Sequence, residues 1–174
     1  MVVGSVLTTI GAGLVYTLNI GSPSSEWIGY QVLAGIGSGV SFQIPIIVAQ
    51  GVSSPSDLSS VSSIILFFQT VTGALFISIA QSLFTNKLLQ EVAANVPGVS
   101  PELVVITGAT ELKDVFKDHL LGVRRSYMAG LKDAYILAIA LGSVACIIAV
   151  ITLVFDNRNL KAKDQVKADD EAAR

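Results

Sequence analysis

LSSVSSIILFFQTVTGALFISIAQSLFT, from Leu58 to Thr85, contains no Asp, Glu, Lys or Arg. A long run without charge is the primary sign of a segment that crosses a lipid bilayer. Lipid offers the backbone no hydrogen-bond partner, so only helices and closed barrels span it. A barrel strand would alternate apolar and polar positions over about ten residues. This run is continuously apolar and too long for that, so it reads as a helix.

Three further uncharged runs flank it: 2–20, 27–49 with Pro45 near its far end, and 134–155. At about 1.5 Å per residue the first spans roughly 28 Å, close to the hydrocarbon thickness. Gly21 to Ser25 and Gln50 to Ser53 are short polar turns. Ser54-Pro55-Ser56-Asp57 reads as a helix start, with Ser54 able to cap and Pro55 suited to the first helical position. The expected fold is an all-α membrane protein with four transmembrane helices over 2–20, 27–49, 58–85 and 134–155. An extramembrane connection fills 86–133. A polar tail, 156–174, is expected to be disordered.

Composition agrees. Of 174 residues, 52% are hydrophobic and 14% charged, against about 25% charged in typical soluble chains. Mean hydropathy is +0.68. No charge precedes Glu26, and only Asp57 lies between Glu26 and Lys87. Net charge is −2 with acids and bases mixed, so nucleic acid is not an expected partner. Cys146 is the single cysteine and cannot form an intramolecular disulfide. Met1 is followed directly by an apolar run, without the positive start of a secretory signal. That beginning is expected of a truncated chain, a short natural protein being the alternative.

Pro97-Gly98 and Ser100-Pro101 break the connection, and Ser100 is placed to cap a short helix from Pro101. From Glu111, the apolar Leu112, Val115, Phe116, Leu120 and Val123 recur at helical spacing, with Lys113, Asp114, Lys117, Asp118 and Arg124 largely elsewhere. The expectation is an amphipathic helix at the membrane surface or on top of the bundle. The alternative is a solvated helix packed on its own neighbours. With four crossings, Tyr16, Trp27, Tyr30, Phe84, Tyr127 and Tyr135 fall toward one membrane face, as an aromatic belt does. Charge does not decide orientation, because Arg158, Lys161, Lys163 and Lys167 on one side balance Lys87, Arg124, Arg125 and Lys132 on the other.

The second run carries Gln31, Gly35, Ser38, Gly39, Gln43 and Pro45. Gly35 and Gly39 share a face and suit close helix approach. Pro45 removes a backbone donor and can kink the helix. Gln31 and Gln43 beside such a kink are candidates for a substrate path. The third run adds Gln69 and Thr72 as path candidates and Gly73 as a packing position. A glutamine in lipid is costly without a partner, so Gln69 faces protein or a cavity. Gly4, Thr8 and Ala12 form one small-residue stripe, and Ala138, Gly142, Cys146 and Ala149 another. Both suit packing against helices beyond this chain.

Gly35-x-Gly37-x-Gly39 lacks the spacing of a dinucleotide fingerprint, and no GxSxG elbow occurs. One histidine and one cysteine do not make a usual zinc site, and His119 reads as a surface residue. No catalytic residue, metal site or cofactor is indicated, so the chain is not expected to be an enzyme. No acid or base lies within the four runs. A proton-carrying residue, if one is needed, lies elsewhere.

The stretch Trp27-Ile28-Gly29-Tyr30-Gln31 through Gly35-Ile36-Gly37-Ser38-Gly39 to Gln43-Ile44-Pro45 is similar to a late helix of the fourteen-helix fungal drug:proton antiporters of the major facilitator superfamily. Phe67-Phe68-Gln69-Thr70 with Gly73-Ala74-Leu75-Phe76 resembles the same family. So do Val96-Pro97-Gly98-Val99 and Thr107-Gly108-Ala109-Thr110 in the connection. The resemblance covers Met1 to about Lys161. It implies the last four helices of such a transporter, an extracellular connection, a cytoplasmic tail and a plasma-membrane location. Its partners would be the lipid bilayer, the remaining transporter helices and a hydrophobic small-molecule substrate: a drug, toxin or secondary metabolite. In the family's first half, the place of the second run carries an arginine before a Gln-Gly-x-Gly pattern; here Gln31-x-x-x-Gly35-x-Gly37 stands without the arginine. A standalone four-helix membrane adaptor is the alternative from another class. The resemblance also implies that four helices, being part of one bundle, do not transport alone.

The membrane reading predicts that the purified chain needs detergent or lipid to stay dispersed. A folded monomer in plain buffer, measured by sedimentation and circular dichroism, would overturn it.

Overall fold

The computed structural model describes residues 2–172 and the side chains of 2–155. Five helices follow in order: α1 (Val2–Thr17), α2 (Ser24–Val52), α3 (Leu58–Asn95), α4 (Pro101–Val115) and α5 (Leu120–Ala172). No strand occurs among the described residues. Three segments are long and apolar enough to cross a membrane: α2, α3 and the Leu120–Phe155 part of α5. The apolar α1 has 16 residues, a rise of about 24 Å against a hydrocarbon core of about 30 Å.

The first run therefore stops short of its expected end at residue 20. The cause is local. The Asn19 side-chain amide donates to Thr17 O at 3.2 Å, and the Asn19 backbone N–H donates to Ser22 Oγ at 3.2 Å. These side chains take the backbone groups that another helical turn would have used. The opposite happens in α3, which continues past Thr85 to Asn95. Its start also differs from expectation. Ser54 Oγ donates to Asp57 Oδ2 at 2.6 Å instead of capping, so Ser54 to Asp57 form a turn ahead of the helix. The α2 helix stays continuous through Pro45.

α1 lies between α2 and α5, α5 carries α3 on another side, and α2 and α3 touch far less than these pairs do. Small residues make the α1 seams. A Cβ added at Gly11 would lie 2.6 Å from Ala34 Cα, and one at Gly4 would lie 2.7 Å from Ser41 Oγ. On the α5 side, a Cβ at Gly142 would lie 2.6 Å from Thr9 Oγ1. A Cβ at Gly37 would overlap the backbone of Leu7 and Thr8. Carbon atoms ordinarily meet at about 3.5–4.0 Å, so Gly11 and Gly37 make backbone-level contacts that a side chain forbids, while Gly4 and Gly142 leave room for the hydroxyls of Ser41 and Thr9. Thr8 and Thr9 can sit in the seams because their hydroxyls donate to Gly4 O at 2.9 Å and Ser5 O at 2.8 Å within their own helix. The stripes at Gly4 and Thr8 and at Gly142 thus meet partners inside this chain, where helices outside it were expected.

The connection 86–133 is helical apart from two short breaks and a kink at Gly108. The first, Val96-Pro97-Gly98-Val99, is a turn in which Val99 N–H donates to Val96 O at 3.3 Å and Gly98 has φ +88°. Proline second and a positive-φ glycine third is the pattern of a type II turn. Gly108, at φ 69°, interrupts α4. Ser100 does not cap α4 but donates to Glu102 Oε2 at 2.7 Å. That bond, then one to the Glu102 backbone, holds the exposed carboxyl below its usual range.

The second break, Phe116 to His119, corrects the expectation of one amphipathic helix from Glu111 to Val123. The Phe116 N–H still donates to Leu112 O at 3.1 Å, but His119 N–H turns back to Phe116 O at 3.1 Å. Leu112 and Val123 then enter one core from different helices. That core holds Leu88, Val92, Val96, Val104, Leu112, Phe116 and Val123. Phe84 and Tyr127 meet edge-on beside it at 5.1 Å. Val115, expected on the apolar face, is 49% exposed. The connection is a cap packed on the extended ends of α3 and α5. Beyond Phe155 only the backbone is described, and it continues α5 to Ala172 where a disordered tail was expected over 156–174.

Overpacking a tight core costs about 1–3 kcal/mol. Gly11→Val and Gly37→Leu should each lower the melting temperature in detergent by that equivalent. Gly35→Ala and Gly39→Ala meet open space in this chain and should raise stability by roughly 0.5–1 kcal/mol through helix propensity. Equal behaviour of the two pairs would remove the seam.

Candidate functional site

The polar positions of α2 divide between two faces. Ala34, Gly37 and Ser41, at helical spacing, lie against α1. Gln31, Gly35, Ser38, Gly39 and Gln43 are exposed on the rest of the helix surface. No atom lies within 4 Å of a Cβ placed at Gly35, Gly39 or Gly73. The packing glycine of α2 is Gly37, not the Gly35 and Gly39 pair. Gln31 and Gln43 are not brought together, since twelve positions of helix separate them by about 18 Å. Thr72 is exposed on α3, one turn beyond Gln69.

Gln69 is the one path candidate that the chain engages. Its Nε2 donates to Phe42 O at 3.1 Å, bridging α3 to α2, two helices with few contacts between them. Its Oε1 is buried and has no partner. Leaving such an oxygen unpaired costs about 1–3 kcal/mol. Nearby, half-buried Pro45 lacks an N–H, so the Ser41 carbonyl four residues earlier loses its ordinary helix donor. Ser41 Oγ is also buried without a partner. Unpaired polar atoms therefore gather at one level of α2 and α3, around Ser41, Phe42 and Gln69. A second bridge, Gln50 Nε2 to Ser62 Oγ at 3.1 Å, ties the two helices near their joining turn.

Ser41 faces a cavity of about 170 Å³ lined with Ser5, Thr8, Gly142, Ala145 and Ala149. An apolar groove of about 780 Å³ adjoins it through Ala145 and Ala149, with Val2, Ile44, Val48 and Ile148 on its walls. Sequence reading passed over Ser41 and Gly37. Their signal was the spacing Ala34, Gly37, Ser41, which repeats at three and four residues opposite Gly4, Thr8 and Gly11.

Among the described residues no group of His, Cys, Asp and Glu could hold a metal ion. His119 is exposed in the turn after α4, and Cys146 is a half-buried free thiol. The arrangement offers hydrogen-bonding amides and hydroxyls on apolar walls. It suits contact with a small molecule or with further helices.

No family model and no solved structure matches the chain. Curated proteins do. The chain is 39% identical to the MFS-type transporter grgE of Penicillium sp over 87% of its length. It is 38% identical to a dehydrocurvularin exporter of Aspergillus terreus over 98% of its length. It is 43% identical to the MFS acetylaranotin efflux transporter ataA of Aspergillus terreus over 85% of its length. The chain spans 27%, 30% and 33% of those three relatives. With long apolar helices among its five and this identity along most of its length, the chain is a multi-pass membrane protein that belongs to the fungal MFS-type transporters, of the major facilitator superfamily.

Proposed function

We propose that the chain forms the C-terminal part of a proton-coupled efflux transporter for hydrophobic drugs, toxins or secondary metabolites. All four apolar helices cross the plasma membrane in this reading, α1 as its shortest span. The α4 cap is extracellular and the tail cytoplasmic. Two relatives are named as exporters of particular metabolites, dehydrocurvularin and acetylaranotin, which supports the substrate class.

The observation that carries the reading is Gln69. It sits in a charge-free helix, with one end bound to Phe42 O and the other buried and unpaired. Lipid cannot satisfy that oxygen. A donor from a further transporter helix or from a substrate can. Gln31, Gln43 and Thr72 lie on exposed surfaces of the same two helices and extend the path. Gly35, Gly39 and Gly73 leave room for neighbouring helices to approach, and Pro45 gives α2 a point to bend. The proton-carrying residue lies in the remainder of the transporter, since the apolar runs of this chain hold no acid or base. The chain alone is then not competent for transport.

Two measurements test this. Proteoliposomes holding the chain alone, loaded with a hydrophobic fluorescent dye under a pH gradient, should show no gradient-driven efflux. Efflux would refute the claim of incompetence. In a complete transporter containing this chain, Gln69→Leu should lower export about tenfold at unchanged expression, the kinetic equivalent of one buried hydrogen bond. Ser63→Ala, whose hydroxyl only bonds Ser59 O at 2.8 Å on an exposed face, should change export little. Equal export by both variants would remove Gln69 from the path.

A further inference from the structure

Where α1 turns into α2, a cleft of about 400 Å³ opens against α5. It is lined with Asn19, Ile20, Gly21, Arg125, Met128, Ala129 and Lys132. Arg125 and Lys132 stand seven residues apart, two turns along one face of α5, and about 10 Å separates them along the axis. Lys132 Nζ donates to Asn19 Oδ1 at 3.1 Å and lies 5.7 Å from the centre of the Tyr16 ring. Both partners are neutral. The one ion pair among the described residues is Lys87 with Glu91 at 3.1 Å, away from this cleft. Asp133, although next in sequence to Lys132, is not among the residues that line the cleft. The cleft thus holds two cations and no carboxylate.

Its depth is set by the sequence around it. Lys132 and Asp133 are the last charges before the uncharged run 134–155. Tyr16 lies beneath Lys132, and the Phe84–Tyr127 pair marks the aromatic level on the facing helices. Aromatic side chains of this kind gather at the membrane–water interface, where lipid phosphates lie. Asn19, Arg125 and Lys132 give the cleft polar and charged lining, and Ile20, Met128 and Ala129 give it apolar lining.

We propose that this cleft is a binding site for a phosphate group, supplied by an anionic phospholipid. Lys132 has three donors and spends one on Asn19, leaving two for a phosphate oxygen. Arg125 offers the paired N–H geometry that phosphate oxygens accept. The acyl chains leave along Ile20 and Met128. The site rests on the membrane placement of the chain and not on the transport reading, so its failure would leave that reading standing.

Trp27, the only tryptophan of the chain, lies in the first turn of α2, six residues after Gly21 of the cleft lining, and serves as the fluorophore. The full chain in phosphatidylcholine nanodiscs is titrated with brominated phosphatidic acid, and Trp27 quenching is read. Brominated phosphatidylcholine is the parallel probe. Phosphatidic acid should quench at lower concentration than phosphatidylcholine. Arg125→Gln and Lys132→Gln should each weaken it about fivefold, the worth of one basic residue at an anionic surface. Lys117→Gln, at an exposed cation of the α4–α5 turn, should not, and Lys132→Arg should restore binding. Arg125 is exposed and makes no hydrogen bond that the fold uses, so its variant tests the site even where Lys132→Gln unfolds the chain. Inorganic phosphate added as competitor separates the sources: displacement means the phosphate alone is recognised, and no displacement means the lipid is. Equal quenching by both lipids, or equal losses in Arg125→Gln and Lys117→Gln, would overturn the proposal.

Discussion

The backbones of α1 and α2 touch at Gly11 and Gly37, and the rest of the arrangement follows from that contact. Lipid tails are as apolar as leucine, so burying a large apolar side chain between two spanning helices gains little. What remains is dispersion at short range, weak per atom and large when two backbones lie side by side. Glycine opposite alanine, and glycine opposite a threonine backbone, maximise it. Short α1 is held this way on two sides, against α2 by Gly4, Gly11 and Gly37, and against α5 by Gly142. The hydroxyls in those seams bond to their own helix and demand nothing from the neighbour.

Fixing one face of α2 frees the others. With Ala34, Gly37 and Ser41 committed to α1, the glutamines and Gly35 and Gly39 are left on surface that this chain does not cover. α3 meets α2 through side-chain hydrogen bonds from Gln69 and Gln50. Such bonds within membranes are worth on average about 0.6 kcal/mol. A gap crossed by two of them is a soft join, while the glycine seams and the cap are firm ones. Relative motion of α2 and α3 is therefore cheaper than motion of α1.

The membrane class and the approximate site of every long helix were legible in charge-free runs, since length without charge has one physical meaning. Helix ends were less so. Asn19 stopped α1 through side-chain bonds that no hydropathy window records, and α3 ran on past Lys87 because a helix needs no apolarity once it leaves lipid. The break at Phe116 was hidden because Leu112, Phe116 and Val123 are buried whether the helix is continuous or folded back. The glycine faces were misread for a related reason. Gly35, Gly37 and Gly39 crowd one short stretch, and which of them packs depends on where α1 sits. The candidate site was legible in its one engaged residue, Gln69, because an amide in a charge-free helix must find a partner. Its actual partner, the Phe42 carbonyl, leaves no mark in sequence.

The buried residues change character along the same helices. In the α1 seams they are Gly4, Ser5, Gly11, Ala12 and Gly37, while Phe67, Phe68 and Ile77 stand exposed at 63%, 62% and 71%. In the cap they are Leu88, Val92, Val104, Leu112, Phe116 and Val123. Two solvents explain the reversal. Water drives large apolar side chains inward at roughly 25 cal/mol per Å², and lipid does not. α3 has 38 residues, a rise of about 57 Å, nearly twice the hydrocarbon core. Its far turns must therefore emerge, and an apolar helix end in water needs cover. α4, folding back at Pro97-Gly98 and again before Leu120, supplies it. The cap is thus the part of the chain built by the rules of a soluble protein, joined through α3 and α5 to a part built by the rules of lipid.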